Sequence, residues 1–166
     1  VGGHPMAGSH YSGFKYSRSN LFQGAPMVLV PPRFDDPMLL ERAKDALKPC
    51  NFGSFSVTTA EEHDKMIAFL SQLTHCIAVS LMTCSDNRHL VDYTGDSFRD
   101  LTRIARINDE MWSELFLLNK ETLLEQMDKF LAEFGKLRET LENGDRETMR
   151  EMMKVSTARR ALFDKK

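Results

Sequence analysis

The distribution of apolar residues predicts one long helix in the middle of the chain. From Met66 to Ser85 the sequence contains no Asp, Glu, Lys or Arg, and apolar side chains fall on nearly every side of the predicted helix. Thr59 is the expected N-cap, and Glu61 and Glu62 complement the helix dipole in the first turn. A helix that is apolar all round belongs inside a core. Polar residues interrupt the run, so we favour a core helix over a membrane span.

The segment before this helix is rich in loops and turns. Its only pattern of a buried strand lies at residues 25–32, APMVLVPP. A short amphipathic helix follows Asp36 and stops before Pro49, and residues 51–57 are extended. A single strand cannot bury itself. We therefore interpret residues 1–57 as the end of an α/β domain and expect the rest of its sheet to lie outside this chain.

The segment after the central helix is predicted to be helical to its end. A helix at about 96–107 precedes a long helix over about 109–142, whose apolar side chains alternate spacings of four and three, as in a coiled coil. These side chains belong to Leu123, Met127, Phe130, Phe134, Leu137 and Leu141. A turn at 143–144 leads to a last amphipathic helix over 145–163. Because a compact unit cannot hide two such faces, we expect residues 58–166 to form an all-helical domain that makes a homodimer through its long helices.

Composition and charge narrow the classes of partner. The chain has 22 Lys and Arg against 24 Asp and Glu, well interspersed, which indicates neither a nucleic-acid nor a membrane partner. Cys50, Cys76 and Cys84 lack metal-ligand spacing, so we expect no metal site. Unpaired thiols without a visible signal peptide indicate the cytoplasm. Since the chain begins with Val1 and a glycine-rich stretch, we expect it to start inside a larger polypeptide.

Polar residues on the apolar helix form the first candidate site. Ser71, Gln72 and His75 lie three and four residues apart, so they share one helix face. Buried polar side chains need hydrogen-bond partners or a ligand. A lone histidine on such a helix is more often a satisfied core residue, and the spacing suits either interpretation.

Basic residues on the following helix form the second candidate site. Arg99, Arg103 and Arg106 line up at spacings of four and three. A pair between Arg103 and Asp100 would be worth only a few tenths of a kcal/mol on an exposed helix. Three arginines with only two aspartates nearby favour an anion site.

Three blocks of the sequence together resemble the prephenate dehydrogenase family: GGHPMAG at 2–8, SQLTH at 71–75 and DSFRDLTRIARINDEMW at 96–112. The resemblance implies a mainly α fold, in which a helical dimerisation domain follows a remnant of an α/β nucleotide-binding domain. It also implies an NAD- or NADP-dependent oxidative decarboxylation of prephenate to 4-hydroxyphenylpyruvate, in tyrosine biosynthesis. No G-x-G-x-x-G fingerprint occurs in this sequence. We therefore expect most cofactor-binding residues upstream of Val1, and no turnover by residues 1–166 alone.

The resemblance also implies roles for single residues. His4 corresponds to the catalytic histidine, whose neutral imidazole draws a proton from the ring hydroxyl of the substrate. Arg103 matches the arginine that binds a carboxylate of the dianion. His75 matches a second histidine that hydrogen-bonds the carboxylate or pyruvyl end. Trp112 matches a tryptophan near the site that is able to reach it from the neighbouring subunit, although packing as a core anchor of the long helix explains it equally well.

Three further residues are expected to support the site. Arg99 and Asp100 fall where the family has a charged pair at the entrance. Many relatives have SHLPH where this chain has SQLTH, so Gln72 and Thr74 replace a histidine and a proline. This departure leaves His75 intact and gives Gln72 a supporting role at most.

Other functions stay open at this point. A cofactor-free helical chorismate mutase would also need arginines that face a dicarboxylate, but the strand and the HPMAG loop argue against it. A non-catalytic helical interaction module would bind neither substrate nor tyrosine. An arogenate dehydrogenase is the closest alternative, because arogenate differs from prephenate only by an amino group in place of the side-chain keto group. The presence of His75 slightly favours prephenate over arogenate as the substrate.

Overall fold

A small sheet opens the fold of the computed structural model. Strand β1 is Gly2–Pro5, β2 is Pro26–Val30 and β3 is Ser54–Val57. The central strand β2 pairs antiparallel with β1 and parallel with β3, and its residues 27–29 are buried. The strand predicted at 25–32 is confirmed. The expectation that its pairing partners lie outside the chain is wrong for these two neighbours, because β1 and β3 both come from this sequence.

The structure describes residues 1–9, 11, 13–86 and 88–164. These residues cluster into two units, Val1–Leu123 and Leu124–Lys166.

Between β2 and β3 lies helix α1, Pro37–Leu47, as the sequence predicts. The Asp36 carboxylate caps α1, since its Oδ1 accepts a hydrogen bond from the Leu39 amide at 3.0 Å. Pro37 at the first position fits this cap, because its missing N–H has no partner in a first helical turn.

The central helix is continuous from Ala60 to Thr83 and has an irregular middle. It consists of α2 (Ala60–Ile67), a π-helical turn (Ala68–Gln72) and α3 (Leu73–Thr83). At the π turn the Leu73 amide donates to the Ala68 carbonyl, five residues back. The predicted cap is confirmed, because Thr59 Oγ1 accepts from the Glu62 amide at 3.1 Å. By length and apolar content alone, this is the one helix in the described residues that could cross a membrane, a test that core helices also pass.

Burial of the central helix is less complete than its sequence predicts. Only Ala68, Gln72, Leu73 and Ala78 are buried along it within one chain. Phe69 is 55% exposed and Leu70 is 45% exposed, so part of the apolar surface of the helix is open. The prediction of a fully enclosed helix is therefore wrong for the isolated chain, which has too few other elements to surround it.

After the central helix the first unit continues with two short helices. Helix α4 is Asp96–Thr102, a 3₁₀ turn follows at Arg103–Ala105, and α5 is Asp109–Leu118. The single helix predicted over 96–107 is thus too long, since Arg106 already has an extended backbone with φ −77° and ψ 95°. Both α4 and the 3₁₀ turn pack against α3.

Helix α6 spans Lys120–Glu142 and α7 spans Arg146–Arg160. The predicted continuous helix over 109–142 is broken at Asn119, whose side chain makes tertiary hydrogen bonds described below. Gly144 adopts φ +65° in the turn between α6 and α7, a backbone conformation that favours glycine. In the second unit several large apolar side chains of the two helices are exposed in the single chain. They are Leu124, Leu131, Phe134, Leu137, Leu141, Met153 and Val155.

Candidate functional site

His4 lies on β1, next to the first turn of α2. Its Nδ1 is 2.8 Å from His63 Nε2, and the two rings are tilted by 59° with their centroids 5.1 Å apart. Partial burial and, secondarily, the neighbouring His63 lower the pKa of His4 below its ordinary value of 6.5. The imidazole is therefore neutral at pH 7 and able to accept a proton.

Sequence reasoning missed His63 entirely. It stands in AEEHDK at the start of the central helix, which has the composition of an exposed first turn. Its interaction with His4 spans 59 residues and depends on how β1 pairs with β2. No local pattern indicates such a contact.

His75 lies on α3 against the only tryptophan of the sequence. Its ring stacks on Trp112 of α5 with centroids 3.8 Å apart and an interplanar angle of 28°. His75 Nδ1 lies 2.8 Å from the Ser71 carbonyl oxygen. Since a carbonyl can only accept, Nδ1 carries a proton and donates, which leaves Nε2 for a ligand. Trp112 therefore contacts this histidine within one chain.

Gln72 is buried and acts as a clamp between helices. Its Nε2 donates to the Leu115 carbonyl at 3.0 Å, which ties the central helix to α5. Its Oε1 accepts from Asn119 Nδ2 at 2.9 Å, and the same Asn119 amide nitrogen donates to the Asp64 carbonyl at 3.0 Å. Both polar atoms of this side chain are thus bonded within the protein.

Arg103 lies on the 3₁₀ turn that packs against α3, and it is exposed. Among the described residues no side chain pairs with it, so the alternative partner Asp100 is not engaged. Arg99 Nη2 donates to Thr94 Oγ1 at 3.3 Å and has no carboxylate partner in the described part of the chain. The guanidinium of Arg103 is therefore available for an anion, while Arg106 lies beyond the helical segment.

The structure places three predicted residues, His4, His75 and Trp112, in two groups, and adds His63 to the first. His4 contacts His63, and His75 contacts Trp112. His63 and His75 are twelve residues apart on one helix. A rise of 1.5 Å per residue places their backbones roughly 18 Å apart, so a ligand that reaches both groups would lie along the helix. The joint binding of one substrate by His4, His75 and Arg103 stays a prediction.

Along the sequence, helices that carry candidate substrate-binding residues follow a small sheet of mixed strands and a helix, which is the organisation of a two-domain dehydrogenase. Two comparisons make this specific. Residues 59–155 match the family described as prephenate dehydrogenase, dimerization domain, and residues 1–55 match prephenate dehydrogenase, nucleotide-binding domain. The chain belongs to the prephenate dehydrogenase family.

Relatives and solved structures agree with this assignment. The chain is 36% identical over 154 residues to prephenate dehydrogenase of Bacillus subtilis, covering 90% of this chain and 41% of that protein. It is 31% identical over 169 residues to cyclohexadienyl dehydrogenase of Zymomonas mobilis, covering 98% of this chain and 57% of that protein. The crystal structure of prephenate dehydrogenase from A. aeolicus with hydroxyphenyl propionate and NAD+ matches with a TM-score of 0.84 and 29% identity, over 98% of this chain and 58% of that chain.

These comparisons confirm the predicted family and fold class, a helical dimerisation domain preceded by a small part of a nucleotide-binding domain. The chain spans about half the length of the relatives that it matches. Residues 1–166 contain no G-x-G-x-x-G sequence, the glycine fingerprint that cradles a pyrophosphate.

Proposed function

We propose that this chain is the substrate-binding and dimerisation part of a cytoplasmic enzyme that oxidatively decarboxylates prephenate to 4-hydroxyphenylpyruvate in tyrosine biosynthesis. The observation that carries the proposal is that burial lowers the pKa of His4, the residue that we assign to the family's catalytic position. A neutral imidazole at that position is the general base that the reaction requires.

The chemistry assigns one task to each group of residues. His4 accepts a hydrogen bond from the ring hydroxyl of the substrate. It draws the hydroxyl proton toward itself as a hydride leaves the ring carbon that bears this hydroxyl. The proton returns to the oxygen when carbon dioxide departs and the ring becomes aromatic. Arg103 binds a carboxylate of the dianion with parallel hydrogen bonds. His75 contacts the carboxylate or pyruvyl end through Nε2, the ring nitrogen that is not bonded to the Ser71 carbonyl.

The remaining predicted residues act around this centre. Trp112 fixes the ring plane of His75 by stacking, and Gln72 holds the helix that carries Trp112. Arg99 and Asp100 lie on α4, one turn before Arg103, and provide charge at the entrance. Their role in catalysis is indirect.

NAD or NADP supplies the hydride acceptor in this proposal. The match of residues 1–55 to a nucleotide-binding domain and the NAD+ complex of the A. aeolicus relative support it. Because the pyrophosphate cradle is not among residues 1–166, we expect this chain to bind prephenate without turning it over.

A homodimer through the long helices completes the proposal. It is supported by the match to a dimerization domain and by the exposed apolar stripe on α6, where Leu131 is 61% and Leu141 is 70% exposed. A second copy would cover these side chains and add about 25 cal/mol for each Å² of apolar surface removed from water.

Calorimetric titration of the chain with prephenate tests the substrate assignment. Arg103→Ala removes a charge-assisted contact worth about 1.5–3 kcal/mol, so the Kd should rise about 10- to 150-fold. Arg106→Ala is the matched control and should leave the Kd unchanged. The assignment would be overturned if the unmodified chain did not bind prephenate, or if both substitutions weakened binding equally. If arogenate bound more tightly than prephenate, the assigned substrate would change to arogenate.

A further inference from the structure

Behind His4 lie two side chains that the substrate-binding scheme does not use, His63 and Asp64. His4 Nδ1 is 2.8 Å from His63 Nε2, and the other nitrogen of that ring, His63 Nδ1, is 2.9 Å from Asp64 Oδ1. The His63 side chain is only 20% exposed, whereas Asp64 is 55% exposed. His63 therefore sits between a carboxylate at the surface and the proposed general base.

The Asp64 carboxylate determines which atoms donate and which accept hydrogen bonds in the series His4, His63 and Asp64. An ionised carboxylate can only accept, so His63 Nδ1 carries a proton and donates to Asp64. A neutral imidazole has a single N–H, which makes His63 Nε2 an acceptor. His4 Nδ1 must then be the donor in the contact between the two rings. The proton of His4 is thereby placed on Nδ1, and its Nε2 is left with a free lone pair.

The opposite arrangement is electrostatically unfavourable. If His63 carried its proton on Nε2, the lone pair of its Nδ1 would point at the Asp64 carboxylate at hydrogen-bond distance. Two acceptors would then face each other in a partly buried place, which costs the free energy of an unmade hydrogen bond. The neighbouring strand β2, PMVLV, has no titratable side chain that could counteract this order. From α2, only His63 faces the His4 ring closely enough to affect its charge.

We propose that His63 is a positioning residue that, with Asp64 behind it, fixes His4 in the tautomer whose Nε2 can take a proton. One part of this inference rests on the proposed function, namely that the proton comes from the hydroxyl of prephenate. The tautomer itself does not depend on any substrate. It gives His4 the orientation and the free nitrogen that a general base needs before a ligand arrives.

Long-range ¹H–¹⁵N spectra of the histidine rings in the chain, recorded at about pH 8, well above the ordinary pKa of histidine, read the tautomers directly. We expect His4 with its proton on Nδ1 and His63 with its proton on Nδ1. A His4 ring protonated on Nε2 in the unmodified chain would overturn the inference, whatever any variant does.

Substitutions test the cause. In His63→Leu the acceptor is gone, and the Nδ1–H form of His4 should cease to be the majority form. In His63→Gln the carboxamide oxygen can accept in place of Nε2, so that form should be retained. His89→Gln, on an exposed 3₁₀ turn, is the control and should change neither ring. An unchanged tautomer in His63→Leu would overturn the role of His63.

Kinetics of the longer protein that contains the nucleotide-binding domain give an independent readout. His63→Leu should lower kcat roughly 10²-fold, the usual scale of general-base catalysis, with KM unchanged, and His63→Gln should recover most of it. A loss confined to KM would overturn the positioning role. If prephenate proved not to be the substrate, the ring spectra would still decide the tautomer, so failure of the inference and failure of the proposed function are distinguishable.

Discussion

Replacing Gln72 by Ala should destabilise the first unit by more than the loss of one hydrogen bond, because this side chain makes two. Gln72 is 4% exposed and makes two hydrogen bonds, one to the Leu115 carbonyl and one from the Asn119 amide. Both partners belong to the region that joins α5 to α6. The substitution therefore cuts the polar connection between the central helix and the helix that carries Trp112.

The magnitude follows from the two bonds and the buried volume. Each hydrogen bond contributes about 1 kcal/mol net, so their loss costs about 2 kcal/mol. Removal of one buried methylene adds about 0.8 kcal/mol. No orphaned group adds a further penalty, because the Leu115 carbonyl keeps the Asn119 backbone amide and Asn119 Nδ2 keeps the Asp64 carbonyl. The expected loss of unfolding free energy is about 3 kcal/mol.

Urea unfolding at one fixed chain concentration measures this loss, and fluorescence follows it, since Trp112 is the only tryptophan. Gln23→Ala, at an exposed glutamine, is the matched control and should stay within about 0.5 kcal/mol of the unmodified chain. Gln72→His, with one donor and one acceptor, should recover about half of the loss. A loss below about 1 kcal/mol in Gln72→Ala would refute the clamp.

Two further predictions concern charge and assembly. Because the pKa of His4 is lowered below 6.5, the unfolded chain binds this proton more readily, and stability falls as the pH drops from 6.5 through the folded pKa. His4→Gln should remove that part of the slope in urea titrations between about pH 8 and pH 5, and His89→Gln should keep it; equal slopes in both variants would contradict the assignment. Phe134→Lys, on the exposed stripe of α6, should yield monomers in light scattering, whereas Asp128→Lys should not; a Phe134→Lys dimer would exclude this stripe from the interface.

Local signals in the sequence were sufficient for much of the fold. Thr59 and Asp36 are N-caps whose side chains bond to the third helical amide, and such caps depend only on neighbouring residues. The apolar run at residues 26–30 is a buried strand, and the turn at Gly144 separates the last two helices. Each of these features is encoded within a few positions.

Features that depend on distant partners were not predictable in the same way. The first strand carries Gly2 and Gly3, which are poor strand formers, and it forms because β2 offers an unpaired edge. The long helix predicted from 109 to 142 breaks at Asn119, whose side chain bonds to the Asp64 carbonyl and to Gln72. Helix periodicity contains no information about either partner.

The geometry of the candidate site was unpredictable for the same reason, because its contacts join residues that are distant in the sequence. His4, His75 and Arg103 were found from sequence blocks that resemble a family, which supply identity without geometry. The stacking of His75 on Trp112 and the bond from His63 to His4 became visible only when the strand and helices were assembled. His63 in particular has no signal of its own, since its first-turn position looks like that of any solvent-exposed residue.

The arrangement of the central helix links the two histidine groups physically. The π turn at 68–72 separates α2, which carries His63, from α3, which carries His75. Across this irregular turn, one Asn119 amide group bonds both to the Asp64 carbonyl before it and to Gln72 at its end. A wider turn left without such a brace would be free to revert to regular α-helix, which would rotate one histidine relative to the other. The clamp thus braces the turn between the helical segment that carries His63 and the segment that carries His75.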